Sequence, residues 1–286
     1  NPFSSRCCQH NHAQGWPYFT EHLVLATPDN GVATAIYAAC KATVKVGDGK
    51  EITLHEETNY PFEEGIAFTV STGEKVAFPF YLRIPSWTQK AEVRVNGKKV
   101  SAAPVAGKYL CINREWANGD RVELTLPMSL SMRTWQVNKN SVSVDYGPLT
   151  LSLKIAEKYV EKDSRETAIG DSKWQKGADS KKWPTTEIYP DSPWNYSLVL
   201  DKKEPLKNFK VIRKSWPADN YPFTATSVPL EVKAIGRPVP EWKIDETGLC
   251  GVLPEEDAVK GDKEEITLIP MGAARLRISA FPNTKE

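Results

Sequence analysis

Cys7 and Cys8 stand side by side in Ser5-Arg6-Cys7-Cys8-Gln9-His10-Asn11-His12. Adjacent cysteines rarely bond each other, because a disulfide between them would strain the intervening peptide. Both thiols can instead reach one metal ion, with His10 and His12 as further soft ligands. A thiolate is also a good nucleophile once a nearby cation or metal lowers its pKa. The bland alternative is a pair of exposed free thiols with no role. Cys-Cys-x-His-x-His is no standard zinc-finger spacing, so a self-contained finger is not expected.

Other polar groups carry less. His22 falls on a short helical stretch and His55 near a strand end beside Glu56 and Glu57; both read as structural or surface residues. Glu56-Glu57 and Glu63-Glu64 are paired carboxylates, but adjacent acids on a strand point to opposite faces. Glycosidase chemistry needs carboxyls, or an acid and a nucleophile, that face each other across a sugar. Asp191-Ser192-Pro193-Trp194-Asn195-Tyr196 is a compact polar-aromatic cluster, suited either to touching sugar or to packing at a strand entry. Neither a phosphate-cradling glycine loop nor a Gly-x-Ser-x-Gly elbow is present.

The elements that must position these groups are mostly strands. One helix is expected after the cysteine pair, with Pro17 at a first helical position and Trp16, Phe19, Thr20 and Leu23 at helical spacing. Pro28-Asp29-Asn30-Gly31 ends it, and it reads as the last helix of something upstream. Beyond Gly31 the period becomes two: Val44 and Val46, Ile52 and Leu54 across Gly47-Asp48-Gly49, Ile66 to Val70, and Phe78 to Ile84. Val93 and Val95 lead into Asn96-Gly97, the preferred two-residue hairpin turn. Val122, Leu124 and Leu126 follow Asn118-Gly119-Asp120. Strands of this length with turns at this spacing predict an antiparallel sandwich over 30–139. A second is expected over 140–286, carrying Val142 to Leu153, Ser197 to Leu200, Leu230 to Ala234, Ile266 to Ile269, and a last apolar strand at Leu276, Ile278 and Ala280. Residues 157–193 break the period and read as an irregular insertion.

Composition sets the frame. The chain has 286 residues, 40% of them hydrophobic, with 37 basic and 36 acidic side chains. A near-neutral balance argues against nucleic acid or an anionic membrane as the main partner, and no apolar run approaches membrane-spanning length. The nine tryptophans and ten tyrosines suit sugar platforms or large β cores alike. The five cysteines form no disulfide framework; Cys40 and Cys111 read as small buried strand residues. Compartment stays open between periplasm and cytoplasm.

Several of these segments together resemble a known family. Arg6-Cys7-Cys8-Gln9-His10-Asn11, Gly15-Trp16-Pro17-Tyr18-Phe19 and Ala26-Thr27-Pro28-Asp29-Asn30-Gly31 look like the end of the catalytic domain of glycoside hydrolase family 127, the β-L-arabinofuranosidase-like proteins. Leu82-Arg83-Ile84-Pro85-Ser86-Trp87, Val95-Asn96-Gly97-Lys98, Tyr146-Gly147-Pro148-Leu149 and Ile269-Pro270-Met271-Gly272 extend the likeness over the chain. The resemblance implies an (α/α)6 barrel followed by two β-sandwiches, so the expected fold is all-β, two antiparallel sandwich domains after a barrel remnant in residues 1–29. It implies that Cys7 is the nucleophile of a retaining mechanism and that Cys7 and Cys8 ligate zinc. The family's other zinc ligands and its acid/base glutamate precede the cysteine pair. The expectation is therefore a C-terminal piece of a glycosidase acting on plant-type glycans, inactive alone, reaching its carbohydrate through the barrel, with a homo-oligomer possible. The competing expectation is a non-catalytic carbohydrate-binding or interaction module.

Overall fold

The structure, a computed structural model, describes residues 7–166 and 173–286, the side chains of 7–10 and 12 excepted. The chain divides into two compact units, and Arg6–Ser129 forms one of them. Here α1 (Cys7–Glu21) leads into β1 (Val24–Ala26), β2 (Val32–Thr34), β3 (Cys40–Val46), β4 (Lys50–Thr58) and β5 (Gly65–Thr72). β6 (Val76–Arg83), β7 (Glu92–Val95), β8 (Lys98–Lys99), β9 (Tyr109–Trp116) and β10 (Arg121–Thr125) follow. One sheet has the order β1-β2-β6-β9 and the other β3-β4-β5-β10-β7-β8. The period-two residues build the layer between them: Phe78, Phe80, Leu82 and Trp116 from the first sheet meet Ile52, Leu54, Phe68 and Val122 from the second. The sandwich is antiparallel throughout except where β2 runs parallel to β6. Asn96 and Gly97 both take positive φ, 49° and 76°, as a two-residue hairpin between β7 and β8 requires.

Leu130–Glu286 makes the second unit. Its strands are β11 (Leu130–Trp135), β12 (Ser141–Tyr146), β13 (Leu149–Leu153), β14 (Glu157–Lys162), β15 (Thr185–Pro190), β16 (Tyr196–Leu200), β17 (Lys210–Arg213), β18 (Leu230–Pro238), β19 (Glu264–Pro270) and β20 (Asn283–Lys285). Eight of them form one sheet, β11-β12-β13-β19-β18-β16-β20, with β17 also on β18. The final segment ties the sheet's ends together. Phe281 exchanges backbone hydrogen bonds of 2.8 and 2.9 Å with Val142, and Leu198 N–H donates to Pro282 O at 2.8 Å. The enclosed core holds Val144, Leu151, Leu198, Val232, Leu268 and Phe281.

Four expectations need correction. Pro17 lies inside α1, because the helix already runs from Cys7. Cys111 is exposed, since its neighbour Leu110 takes the inward position of the alternation. Leu276–Ala280 is not a strand; the closing strand is β20, in the polar tail, where an edge position needs no apolar face. Residues 157–193 are not irregular throughout: β14 and β15 pair from Glu157–Pro190 to Lys162–Thr185. That ribbon is half-exposed to exposed along its length, so it shows no period of two.

Candidate functional site

Cys7 and Cys8 occupy consecutive positions of α1. Their Cα atoms are about 3.8 Å apart, less than a disulfide normally spans. The side chains of both, and of His10 and His12, lie outside the described residues. The described side chains of α1 are exposed, Trp16 and Tyr18 by 63% and 64%. The helix is held from its far end, where Leu23 is buried and its carbonyl accepts the Ala35 N–H at 3.1 Å. His22 turns back on the helix, its Nδ1 2.6 Å from Tyr18 O, a structural contact. Among the described residues no group of three or more His, Cys, Asp or Glu could hold a metal ion.

The turn after α1 is built by its own side chains. Thr27 Oγ1 accepts the Gly31 N–H at 3.0 Å, and Thr27 N–H donates to Gly31 O at 3.1 Å. Thr27 Oγ1 also donates to Asp29, whose other carboxylate oxygen accepts the Tyr81 hydroxyl at 2.6 Å. These two hydroxyls hold the Asp29 carboxyl below its usual range. Pro28, Asp29, Tyr81 and Tyr109 border a hollow of about 510 Å³ on the outer side of β6 and β9.

The paired acids separate as strand geometry requires. Glu57 faces out, 3.4 Å from Arg121, while Glu56 is 1% exposed on the core side of β4. Burial pushes the Glu56 carboxyl up to about 8. Glu64 Oε1 accepts the Met128 N–H at 3.0 Å, a structural role. Neither pair sets two carboxyls across a substrate cleft, and His55 is exposed.

The second unit contains a cleft of about 740 Å³ that sequence reasoning missed, bordered by β13, β14, β19, the Thr224–Thr226 loop and Arg275. Tyr159 and Glu157 project from β14, and the Tyr159 hydroxyl donates to Glu157 Oε2. Glu157 Oε1 accepts the Arg275 N–H at 3.3 Å. The polar-aromatic cluster divides here. Ser192 and Pro193 line the cleft, whereas Trp194 packs edge-on against Trp242 at 5.1 Å and Asn195 Nδ2 donates to Val239 O and Trp242 O. Sequence could not find the cleft because β14 lacks a buried face to announce it.

Comparison with known proteins finds a similarity that lies in the first unit. Residues 31–128 match the family model described as β-L-arabinofuranosidase, GH127 middle domain. The resemblance read from the sequence holds. Solved structures extend the likeness in fold. A GH127 β-L-arabinofuranosidase from Geobacillus stearothermophilus T6 is 21% identical with a TM-score of 0.64, over 97% of this chain and 37% of that one. A structure described as a glycoside hydrolase gives 21% and 0.65, over 98% of this chain and 40% of its own. A GH127 β-arabinofuranosidase gives 21% and 0.63, over 99% and 41%. The chain thus spans about two-fifths of these structures. Over that matched part, the all-β fold is shared with them. No curated protein sequence matches the chain, and among the described residues no helix is long and apolar enough to cross a membrane.

Proposed function

We propose that this chain supplies the β-domains and the nucleophile of a retaining glycoside hydrolase of the β-L-arabinofuranosidase kind. The observation that carries the reading is the placement of a Cys-Cys pair on a helix leading directly into a domain that matches the GH127 middle domain. Cys7 Sγ would attack the anomeric carbon as the bond to the leaving oxygen breaks, giving a thioglycosyl intermediate. Water would then displace the thiolate and release the sugar. The leaving oxygen needs a proton from a general acid.

Zinc fits this donor set in part. Two thiolates are half of a tetrahedral sulfur-rich site. Cys7 and Cys8 would hold the ion, and the ion would keep the Cys7 thiol ionised at neutral pH. The remaining ligands and the acid/base would come from a barrel that these 286 residues do not include, so the chain alone is inactive. The test is release of arabinose from an aryl β-L-arabinofuranoside. Activity is expected when a GH127 barrel precedes the chain and is lost in Cys7→Ser; hydrolysis by the 286 residues alone, or full activity of Cys7→Ser, overturns the proposal.

A further inference from the structure

The cleft of the second unit has the chemistry of a ligand site. Its volume of about 740 Å³ falls in the range of small-molecule sites. Its charges cancel and are already committed. Arg275 faces Glu157, Lys154 Nζ lies 2.7 Å from Glu231, and Glu265 lies 3.0 Å from Lys233. The four charged lining residues, Lys154, Glu157, Glu265 and Arg275, sum to zero, while Glu231 is shared between Lys154 and Lys214. A neutral ligand is favoured.

The hydrogen-bonding groups are arranged for hydroxyls. Ser192 Oγ accepts the Ala156 N–H at 2.9 Å, which uses a lone pair and leaves the hydroxyl proton to donate. Thr267 Oγ1 receives Lys233 Nζ at 2.9 Å and is left in the same state. Glu157 supplies acceptor oxygens on a side chain that is 14% exposed and held by Arg275 and Tyr159. Donors and acceptors thus both border the cleft, together with the nearly buried Ile155 and Ile266. Tyr159 adds a ring that is 52% exposed and fixed through its hydroxyl. A fixed ring beside a fixed carboxylate suits a sugar, which has an apolar C–H face and an edge of vicinal hydroxyls.

We propose that this cleft is a binding subsite for a neutral oligosaccharide, acting without covalent chemistry and without Cys7. The choice of arabinose-containing probes rests on the proposed glycosidase reading; the subsite itself does not. The experiment is calorimetric titration of the 286-residue chain with arabino-oligosaccharides, xylohexaose and cellohexaose at millimolar concentration. Saturable binding of at least one is expected. It should weaken about tenfold in Tyr159→Ala and several-fold in Ser192→Ala, with native circular dichroism, and stay unchanged in Cys7→Ser. Binding of none of the three, or undiminished binding in both natively folded cleft variants, overturns the subsite. Cys7-dependent hydrolysis when a GH127 barrel precedes the chain, without such binding, overturns the subsite alone; binding without Cys7-dependent hydrolysis in that barrel-bearing protein supports it and overturns the glycosidase reading alone.

Discussion

The Cys40 thiol donates to Glu56 Oε2 across the β3–β4 pairing, with sulfur and oxygen 3.8 Å apart, and Glu56 Oε1 has no hydrogen-bond partner. Burial pushes the Glu56 carboxyl up to about 8 and the Cys40 thiol up to about 11. Burial thus favours the neutral form of both groups in the folded first unit.

A pH dependence follows. In the unfolded chain Glu56 ionises near its ordinary value of about 4.3, while in the fold it keeps its proton until about pH 8. Between those values the folded unit binds one more proton than the unfolded chain. Glu56 thus lowers stability as pH rises, by up to about 1.4 kcal/mol per pH unit, and the loss levels off above the folded pKa. Urea unfolding of the first unit from pH 5 to 8 should show this decline, and Glu56→Gln should flatten it. An equally steep decline in the variant would refute the assignment.

Glu231 in the second unit titrates in the opposite sense. Burial acts to raise its carboxyl, but Lys154 and Lys214, 2.7 and 2.6 Å away, outweigh burial and lower it. The stability it contributes is present above the ordinary carboxylate pKa and is lost as pH falls through the lowered folded value. Peptide-resolved hydrogen exchange should show β18 losing protection as pH drops from 5 to 3, and Glu231→Gln should remove that part of the loss.

Much of this fold is legible in the sequence because burial on one face writes a period of two. Phe78, Phe80 and Leu82 announce β6, and Asn96-Gly97 announces its hairpin through positive φ at both residues. Partner choice is less visible. Asn118-Gly119-Asp120 has hairpin chemistry, yet it carries the chain from β9 in one sheet to β10 in the other. The ribbon of β14 and β15 and the closing strand β20 lack a fully buried face, so nothing periodic marks them. The cleft went unread for the same reason, since Tyr159, Ser192 and Arg275 come from distant segments whose meeting depends on that ribbon.

Gly31 offers a sharp test of the turn that follows α1. A Cβ there would sit 2.3 Å from Pro79 O and 2.5 Å from the Pro79 ring, whereas one at Gly65 would meet nothing within 4 Å. Gly31 also exchanges hydrogen bonds with Thr27 just before the parallel β2–β6 pairing. Gly31→Ala should cost about 1–3 kcal/mol, as overpacking does, while Gly65→Ala should stay within about 1 kcal/mol. Denaturant midpoints of the two variants against the parent decide this; equal costs would show that Pro79 gives way freely.

Cys7 and Cys8 make the last prediction, which separates metal binding from catalysis. Two thiolates without further ligands leave half of a tetrahedral zinc shell to water, so the 286-residue chain should bind zinc weakly and lose it to a mild chelator. With a GH127 barrel placed before the chain, binding should become tight and stoichiometric. Cys8→Ser should then lower zinc content and activity together. Cys7→Ser should abolish turnover, because an alcohol is a far weaker nucleophile than a thiolate at neutral pH. Mass spectrometry of the intact enzyme trapped with a slow arabinofuranoside should find the sugar on Cys7; a label on any other residue would overturn its role as nucleophile.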